Sequence, residues 1–162
     1  MLVLVCGLPG AGKSTLAKAL AEMRGAAYIS SDAVRREALE ERTYSPEEKF
    51  RVYDAMLRKA GAELREGRGV VLDATFYKRE LRERARETAE RAGAGFRIIE
   101  CTAEERLLKE RMEAREGGLS EADFGVYMKV KAEYEPVEEG HLVVDTALPL
   151  EGQLKLAEKY LG

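Results

Sequence analysis

Residues Gly7-Leu8-Pro9-Gly10-Ala11-Gly12-Lys13-Ser14-Thr15 fit the pattern G-x-x-x-x-G-K-[ST]. The four fixed positions co-occur by chance in roughly one chain of this size in a few hundred. The residue types suit phosphate. Gly7, Gly10 and Gly12 let the backbone take positive φ and approach an anion with no Cβ in the way. The N–H groups of the loop and of a following helical turn then point at phosphate oxygens. In such a cradle Lys13 bridges the β- and γ-phosphates of ATP and the Ser14 hydroxyl ligates Mg²⁺. A glycine turn with a solvated lysine is the plain alternative, but it needs neither the apolar run before the motif nor the helix-forming run after it, and both are present.

Three further groups of residues carry chemistry. Asp32 follows the second apolar run, in Ser30-Ser31-Asp32-Ala33-Val34-Arg35. Ligands of open α/β sheets sit beyond the carboxyl ends of the strands. A carboxylate there can take the proton of an acceptor hydroxyl as it attacks the γ-phosphoryl group. An Asp or Ser at such a point also serves as a helix N-cap, and the residues alone divide evenly between the two roles. Arg35, one turn on, can pair with Asp32 or hold an acceptor phosphate. Asp73 ends Val70-Val71-Leu72-Asp73, the Walker-B arrangement in which the carboxylate reaches Mg²⁺ or its waters; a turn aspartate is the alternative. The sequence leaves open whether Asp32 or Asp73 is nearer the metal. Arg111 and Arg115 share a helix face, from which an arginine can neutralise charge developing on a transferring phosphoryl group. The interleaved Glu104, Glu105, Glu110, Glu113 and Glu116 offer the blander picture of a solvated face, and spacing alone favours it. His141 and the tyrosines Tyr77, Tyr127 and Tyr134 read as structural, core or rim.

Apolar strand-like runs alternate with amphipathic stretches, which predicts an α/β fold with a parallel sheet. The strands are expected at Leu2–Cys6, Ala26–Ser30, Gly69–Asp73, Phe96–Cys101 and Leu142–Val144. Residues 46–66 put Phe50, Tyr53, Met56, Leu57, Ala60 and Leu64 on one helical face, and 78–92 do so with Leu81, Ala85, Ala89 and Ala92. A last helix uses Leu150, Leu154, Ala157 and Leu161. Ser45-Pro46-Glu47-Glu48 and Thr102-Ala103-Glu104-Glu105 read as capping boxes, and Ser120 as an N-cap before acidic residues. Gly117-Gly118 reads as a hinge between two helices. One domain over residues 1–162 is expected, with no repeat or linker.

Composition narrows the classes. Hydrophobic residues make up 45% of the chain and charged residues 35%, with a net charge of −3, so no global basic field announces nucleic acid. No run approaches the ~18 apolar residues of a membrane span, and no basic segment precedes Leu2 as in a secretory signal. Cys6 and Cys101, at the ends of apolar runs, are expected to be reduced core residues of a cytoplasmic protein. Two cysteines and one histidine lack the spacing of a zinc site.

The order of these features resembles the small P-loop kinases of the polynucleotide-kinase and zeta-toxin-like type, often grouped with AAA-family ATPases. The resemblance runs through Gly7–Thr15, Ser31-Asp32-x-x-Arg35, Val70–Thr75, Arg111-x-x-x-Arg115 with Gly117-Gly118, Tyr134-Glu135-Pro136 and His141–Pro149. It implies a three-layer α/β/α fold with five parallel strands in the order 2-3-1-4-5 and a helical lid over about residues 103–134. It implies that Asp32 is the general base, that Arg35 holds the acceptor side, and that Arg115, with Arg111 on the same helix, covers the ATP phosphates. It also implies that Asp145–Pro149 borders the adenine. Asp73-Ala74-Thr75-Phe76 departs from the Asp-Thr-Asn form of the nucleic-acid kinases.

The expected activity is therefore ATP- and Mg²⁺-dependent transfer of the γ-phosphate to a hydroxyl, either a 5′-hydroxyl of RNA or DNA or that of a small molecule. A nucleoside monophosphate kinase is the second enzymatic alternative. It calls for more acceptor-side arginines than 31–66 clearly offers, although Arg35, Arg36, Arg42 and Arg51 are there. A nucleotide-binding switch with slow hydrolysis is the alternative from another class. A guanine-reading Asn-Lys-x-Asp segment is absent. Nothing in the sequence points to a membrane or to a protein partner.

Overall fold

The computed structural model describes residues 1–38, 46–114, 121–138 and 140–162, with side chains for all of these except 38 and 121–123. The element order is β1 (Leu2–Cys6), α1 (Lys13–Arg24), β2 (Ala27–Ser30), α2 (Ser31–Ala38), α3 (Pro46–Arg65), β3 (Val70–Asp73), α4 (Arg79–Arg91), β4 (Phe96–Thr102), α5 (Glu105–Glu113), α6 (Glu121–Glu133), β5 (Leu142–Asp145) and α7 (Leu150–Leu161). All strand pairs are parallel, and the order across the sheet is β2-β3-β1-β4-β5. The expected topology 2-3-1-4-5 is therefore the one observed, and each strand lies within a residue or so of its expected place.

Burial of β1 on both faces explains its unbroken apolar run. Leu2, Leu4 and Cys6 face one core with α3 and α4, where Met56, Ala60, Leu81 and Ala85 pack. Val3 and Val5 face the other, with Leu16 and Leu20 of α1 and Ala157 and Leu161 of α7. Helices on both faces of a parallel sheet make the three layers. The sheet's alternation then dictates the site. Register pairs Ser30 with Asp73 and Tyr28 with Val71, so Tyr28, Ser30 and Asp73 project to one side of the sheet, the side covered by α1.

Several local expectations need correction. Phe50 is 49% exposed, because its ring lies under the guanidinium of Arg84, 5.1 Å from the centroid; the buried stripe of α3 runs through Val52, Tyr53 and Met56 instead. The segment from Thr102 is not a capping box. Thr102 ends β4, its hydroxyl bonds the Val144 carbonyl at 3.4 Å, and Glu104 holds the N-cap position of α5 without a side-chain cap bond. The strand's ladder outcompetes the local cap. Arg82 of α4, which the apolar periodicity of 78–92 does not include, is nevertheless buried, 1% exposed. The expected caps at Ser45 and Ser120 and the Gly117-Gly118 hinge lie outside the described residues. Cys6 and Cys101 are both free and buried. Among the described residues no helix is long and apolar enough to cross a membrane.

Candidate active site

The loop between β1 and α1 adopts the conformation its glycines permit. Gly7, Gly10 and Gly12 have φ of 146°, 80° and 82°. Space reinforces the requirement at two of them. A Cβ on Gly7 would fall 2.4 Å from the carbonyl oxygen of Cys101, and one on Gly12 would fall 3.1 Å from Cβ of Thr146. The loop is thus wedged between the ends of β4 and β5, and α1 starts at Lys13 with its first N–H groups unclaimed by a side-chain cap. Lys13 Nζ donates to the carbonyl of Leu8 at 2.9 Å, folding back over the loop. Burial pulls the Lys13 ammonium below the ordinary lysine range, while the Asp73 carboxylate opposes that shift. An anion in the loop would offset the same desolvation.

Asp73, at the carboxyl end of β3, accepts two hydrogen bonds on one oxygen. Ser14 Oγ donates to Oδ2 at 2.7 Å and the Tyr28 hydroxyl donates to the same atom at 2.5 Å. A hydroxyl and a carboxylate oxygen this close form a hard-oxygen pair suited to Mg²⁺. Among the described residues no three His, Cys, Asp or Glu side chains converge. An ion here would therefore take most of its ligands from water and phosphate, as Mg²⁺ characteristically does. Of the two aspartates, Asp73 is the one joined to Ser14.

On the other side of the loop stands a network that the sequence only partly disclosed. The Thr146 hydroxyl donates to the carbonyl of Ala11 at 2.7 Å and accepts from Arg111 Nη1 at 2.8 Å. Arg111 also donates to the carbonyls of Gly10, at 3.0 Å, and Thr146, at 2.7 Å. Gln153 of α7 donates to the Leu148 carbonyl at 2.8 Å. Arg111 thus ties the loop to the turn after β5, while Arg115 lies outside the described residues. Leu8, Pro9 and Thr15 belong to the same loop and the start of α1, and Pro9 and Thr15 line the cavity.

That cavity, of about 560 Å³, runs from the loop across the sheet end to α2, α3 and α6. Asp32 sits in the first turn of α2 with its carboxylate 71% exposed, and Arg35 Nη1 is 3.7 Å from it. Arg35 Nε is also 3.5 Å from the buried Glu48. The cap of α2 is Ser30, whose Oγ accepts the N–H of Ala33 at 3.1 Å. The helix end therefore does not need the Asp32 side chain, which leaves it at the cavity edge. Tyr53 forms the floor. Its hydroxyl is 3.0 Å from Thr75 Oγ1 and accepts the Phe76 N–H at 3.1 Å, and burial pushes its pKa up to about 12. His141, away from this cavity, pairs with Glu100 at 3.5 Å when protonated, and Tyr127 is core.

Tyr28, Lys49, Tyr53 and Gln153 are site residues that the sequence did not single out. Only Tyr28 had a usable signal: two residues before Ser30 on a strand, it must share a face with it, but that matters only once β2 is known to border β3.

A family model described as AAA_33, AAA domain, matches residues 2–137. Uncharacterised proteins of Mycobacterium tuberculosis and Mycobacterium bovis are 36% identical over an alignment that takes in 93% of this chain and 32% of theirs. The chain thus spans about a third of the length of the curated relatives it matches. Among solved structures, a gluconokinase from Sinorhizobium meliloti superposes with a TM-score of 0.75 at 25% identity, covering 96% of this chain and 87% of that one. A sugar kinase from Janibacter superposes at 0.78 and 21% identity, covering 99% and 93%. The APS kinase of Mycobacterium tuberculosis, in complex with AMPPNP and APS, superposes at 0.75 and 20% identity, covering 99% and 96%. These likenesses are likenesses of fold.

Proposed function

The chain belongs to the AAA_33 family of AAA domains and has the fold of P-loop kinases, and on that premise we propose that it is an ATP- and Mg²⁺-dependent phosphotransferase acting on a hydroxyl acceptor. One observation carries this. A single cavity has the Lys13–Ser14–Asp73 cluster at one end and a carboxylate at the edge of the other, Asp32, that no helix cap requires.

The roles follow from charge and position. The loop from Gly7 to Thr15 holds the phosphates through its N–H groups, and Lys13 spans the β- and γ-phosphates. Ser14 and Asp73 would hold Mg²⁺, which when bound would supply neutralising charge on the phosphate oxygens. Asp32 accepts the acceptor's proton as its oxygen attacks the γ-phosphorus; the bond from that phosphorus to the β,γ-bridging oxygen breaks and ADP leaves. Arg35, fixed by Asp32 and Glu48, orients the acceptor. Arg115 closes over the phosphates, helped by Arg111, within a lid of about residues 103–134, and closure limits loss of the phosphoryl group to water. We read residues 1–162 as one kinase domain. The acceptor is a 5′-hydroxyl of RNA or DNA or a small molecule; the gluconokinase and APS kinase among the structural neighbours lean towards the second. Two buried free thiols suit a reducing compartment such as the cytoplasm.

Transfer of labelled γ-phosphate from ATP to candidate acceptors, 5′-hydroxyl oligonucleotides included, tests this. Asp32→Asn is expected to retain ATP binding and lose at least ~100-fold of the transfer rate. Lys13→Ala is expected to weaken ATP binding and abolish transfer. Near-normal transfer by Asp32→Asn overturns the base assignment. Slow hydrolysis with no acceptor under any condition favours a nucleotide switch.

A further inference from the structure

We propose that the acceptor is a small hydroxyl compound bearing a carboxylate or phosphate group, and that Lys49 binds that group; the proposal rests on the kinase reading above. Lys49, in the first turn of α3, lines the same cavity as Asp32. Its ammonium lies 5.3 Å from the centroid of the Tyr77 ring. Among the described residues no carboxylate comes within ion-pairing distance of it, whereas the neighbouring Arg35 is engaged by both Asp32 and Glu48. Carboxylates are not scarce: the chain has 30 acidic and 27 basic residues. A lysine in a cavity wall that rests on an aromatic face and, among the described residues, has no carboxylate within ion-pairing distance is poised for an anion that arrives with a ligand.

The surroundings sharpen the preference. Burial lowers the Lys49 pKa; Glu133 opposes the shift, and the like charges of Lys129 and Arg35 add to it. An anion placed on Lys49 relieves both the burial and the repulsion. The acceptor's hydroxyl then lies toward Asp32 and its anionic end toward Lys49 and Tyr77. Size and wall chemistry argue against a polymer. Among the described residues the rest of the acceptor side is Ser31, Tyr53, Ala74, Thr75, Val126 and Val130, which bring no charge. A nucleic-acid strand needs cations that follow its backbone outward.

Calorimetric titration of the AMPPNP·Mg²⁺ complex with matched pairs tests this: D-glycerate and sn-glycerol 3-phosphate against glycerol, and D-gluconate against sorbitol. At least one anionic member is expected to bind ~10-fold or more tightly than its neutral counterpart, a gap set by one charge-assisted hydrogen bond. Lys49→Met is expected to erase that gap and Lys49→Arg to keep most of it, with thermal unfolding checking that both variants are folded. Equal binding of anionic and neutral members overturns the proposal. So does a gap that survives in Lys49→Met, failure of all three anions to bind, or tighter binding of a 5′-hydroxyl oligonucleotide that Lys49→Met leaves unchanged. AMPPNP affinity and γ-phosphate transfer, measured separately on the unmodified protein, report on the kinase reading itself, so the two failures are told apart.

Discussion

The Tyr28 hydroxyl and Asp73 share a 2.5 Å hydrogen bond on the same carboxylate oxygen that accepts from Ser14. Tyr28 is thereby a positioning residue for the hard-oxygen pair. Burial first, and then the hydrogen bond to Asp73, push its phenol well above the ordinary tyrosine range, so it remains a donor at every working pH. It fixes the carboxylate's rotation much as an outer-sphere partner fixes a metal ligand. Tyr28→Phe is expected to lower Mn²⁺ affinity in the presence of nucleotide by about 10–100-fold. Nucleotide affinity without metal should be unchanged. Electron paramagnetic resonance of bound Mn²⁺ reads the first quantity and fluorescence titration the second. An unchanged Mn²⁺ affinity would reduce Tyr28 to a packing role.

The parts of this site that the sequence made legible are those whose chemistry is local. Gly7 to Ser14 needs only a strand, a turn and a helix, and Asp73 needs only to end an apolar strand. Asp32 was ambiguous because the same residue type caps helices; Ser30 takes the cap of α2, which frees the Asp32 carboxylate without assigning it a role. Tyr28, Thr146 and Lys49 work across sequence gaps of 45, 135 and 28 residues to Asp73, Ala11 and Tyr77. No periodicity encodes such pairings. They depend on which strands adjoin, and the order 2-3-1-4-5 came from a resemblance rather than from pattern. Arg82 escaped because a charged residue on a helix defaults to solvent.

Thr146 is the hinge of the network behind the loop. Its hydroxyl gives to Ala11 and takes from Arg111, so Thr146→Val keeps the shape but leaves the Ala11 carbonyl without this donor and one Arg111 N–H without its acceptor, while Arg111 keeps its bonds to the carbonyls of Gly10 and Thr146. Leaving a buried carbonyl and a guanidinium donor unsatisfied costs about 1–3 kcal/mol. Urea denaturation should show that loss, and ATP affinity should fall with it because the loop is no longer held. Thr146→Ser should restore both. A fully stable, tight-binding Thr146→Val would mean the network adds nothing to the loop.

The two thiols make stability depend on alkaline pH. Burial pushes Cys6 up from 9.0 to about 11 and Cys101 from 9.0 to about 12. Both folded values lie above the unfolded one, so the folded state keeps protons that the unfolded chain releases. Their contribution is intact below pH 9 and is lost as pH climbs through 11 and 12. Buried phenols such as Tyr53, raised from 10.0 to about 12, act in the same direction, whereas Lys13, whose pKa is lowered, opposes them. The denaturation midpoint is expected to fall between pH 8.5 and 10.5. The Cys6→Ala, Cys101→Ala double variant should show a shallower fall. At pH 8 the native thiols should react with iodoacetamide far more slowly than after unfolding.

Arg82 fastens the segment after α6 to the body of the protein. It is 1% exposed, and its guanidinium donates to three carbonyls: Phe76 at 2.7 Å, Glu135 at 2.9 Å and Pro136 at 3.2 Å. Phe76 is the non-glycine residue with positive φ, 43°, among the described residues. It is held there by Arg82 on its carbonyl and Tyr53 on its N–H, a conformation that costs about 1–3 kcal/mol unless the surroundings impose it. The segment is doubly tied, since the N–H of Glu135 also donates to the Tyr77 carbonyl at 2.8 Å. Arg82→Leu is apolar and similar in bulk near the backbone, but it leaves three carbonyls without their donor. A loss of about 3 kcal/mol or more in urea denaturation is expected. Arg82→Lys should recover little, because an ammonium cannot reproduce the planar fork that spans two chain segments. Limited proteolysis separates the two consequences. If Arg82 anchors the root of α6, cleavage within 133–138 should become faster in the variant under conditions where the rest of the chain is still folded. Cleavage only upon global unfolding would show that the arginine stabilises the core without controlling the lid.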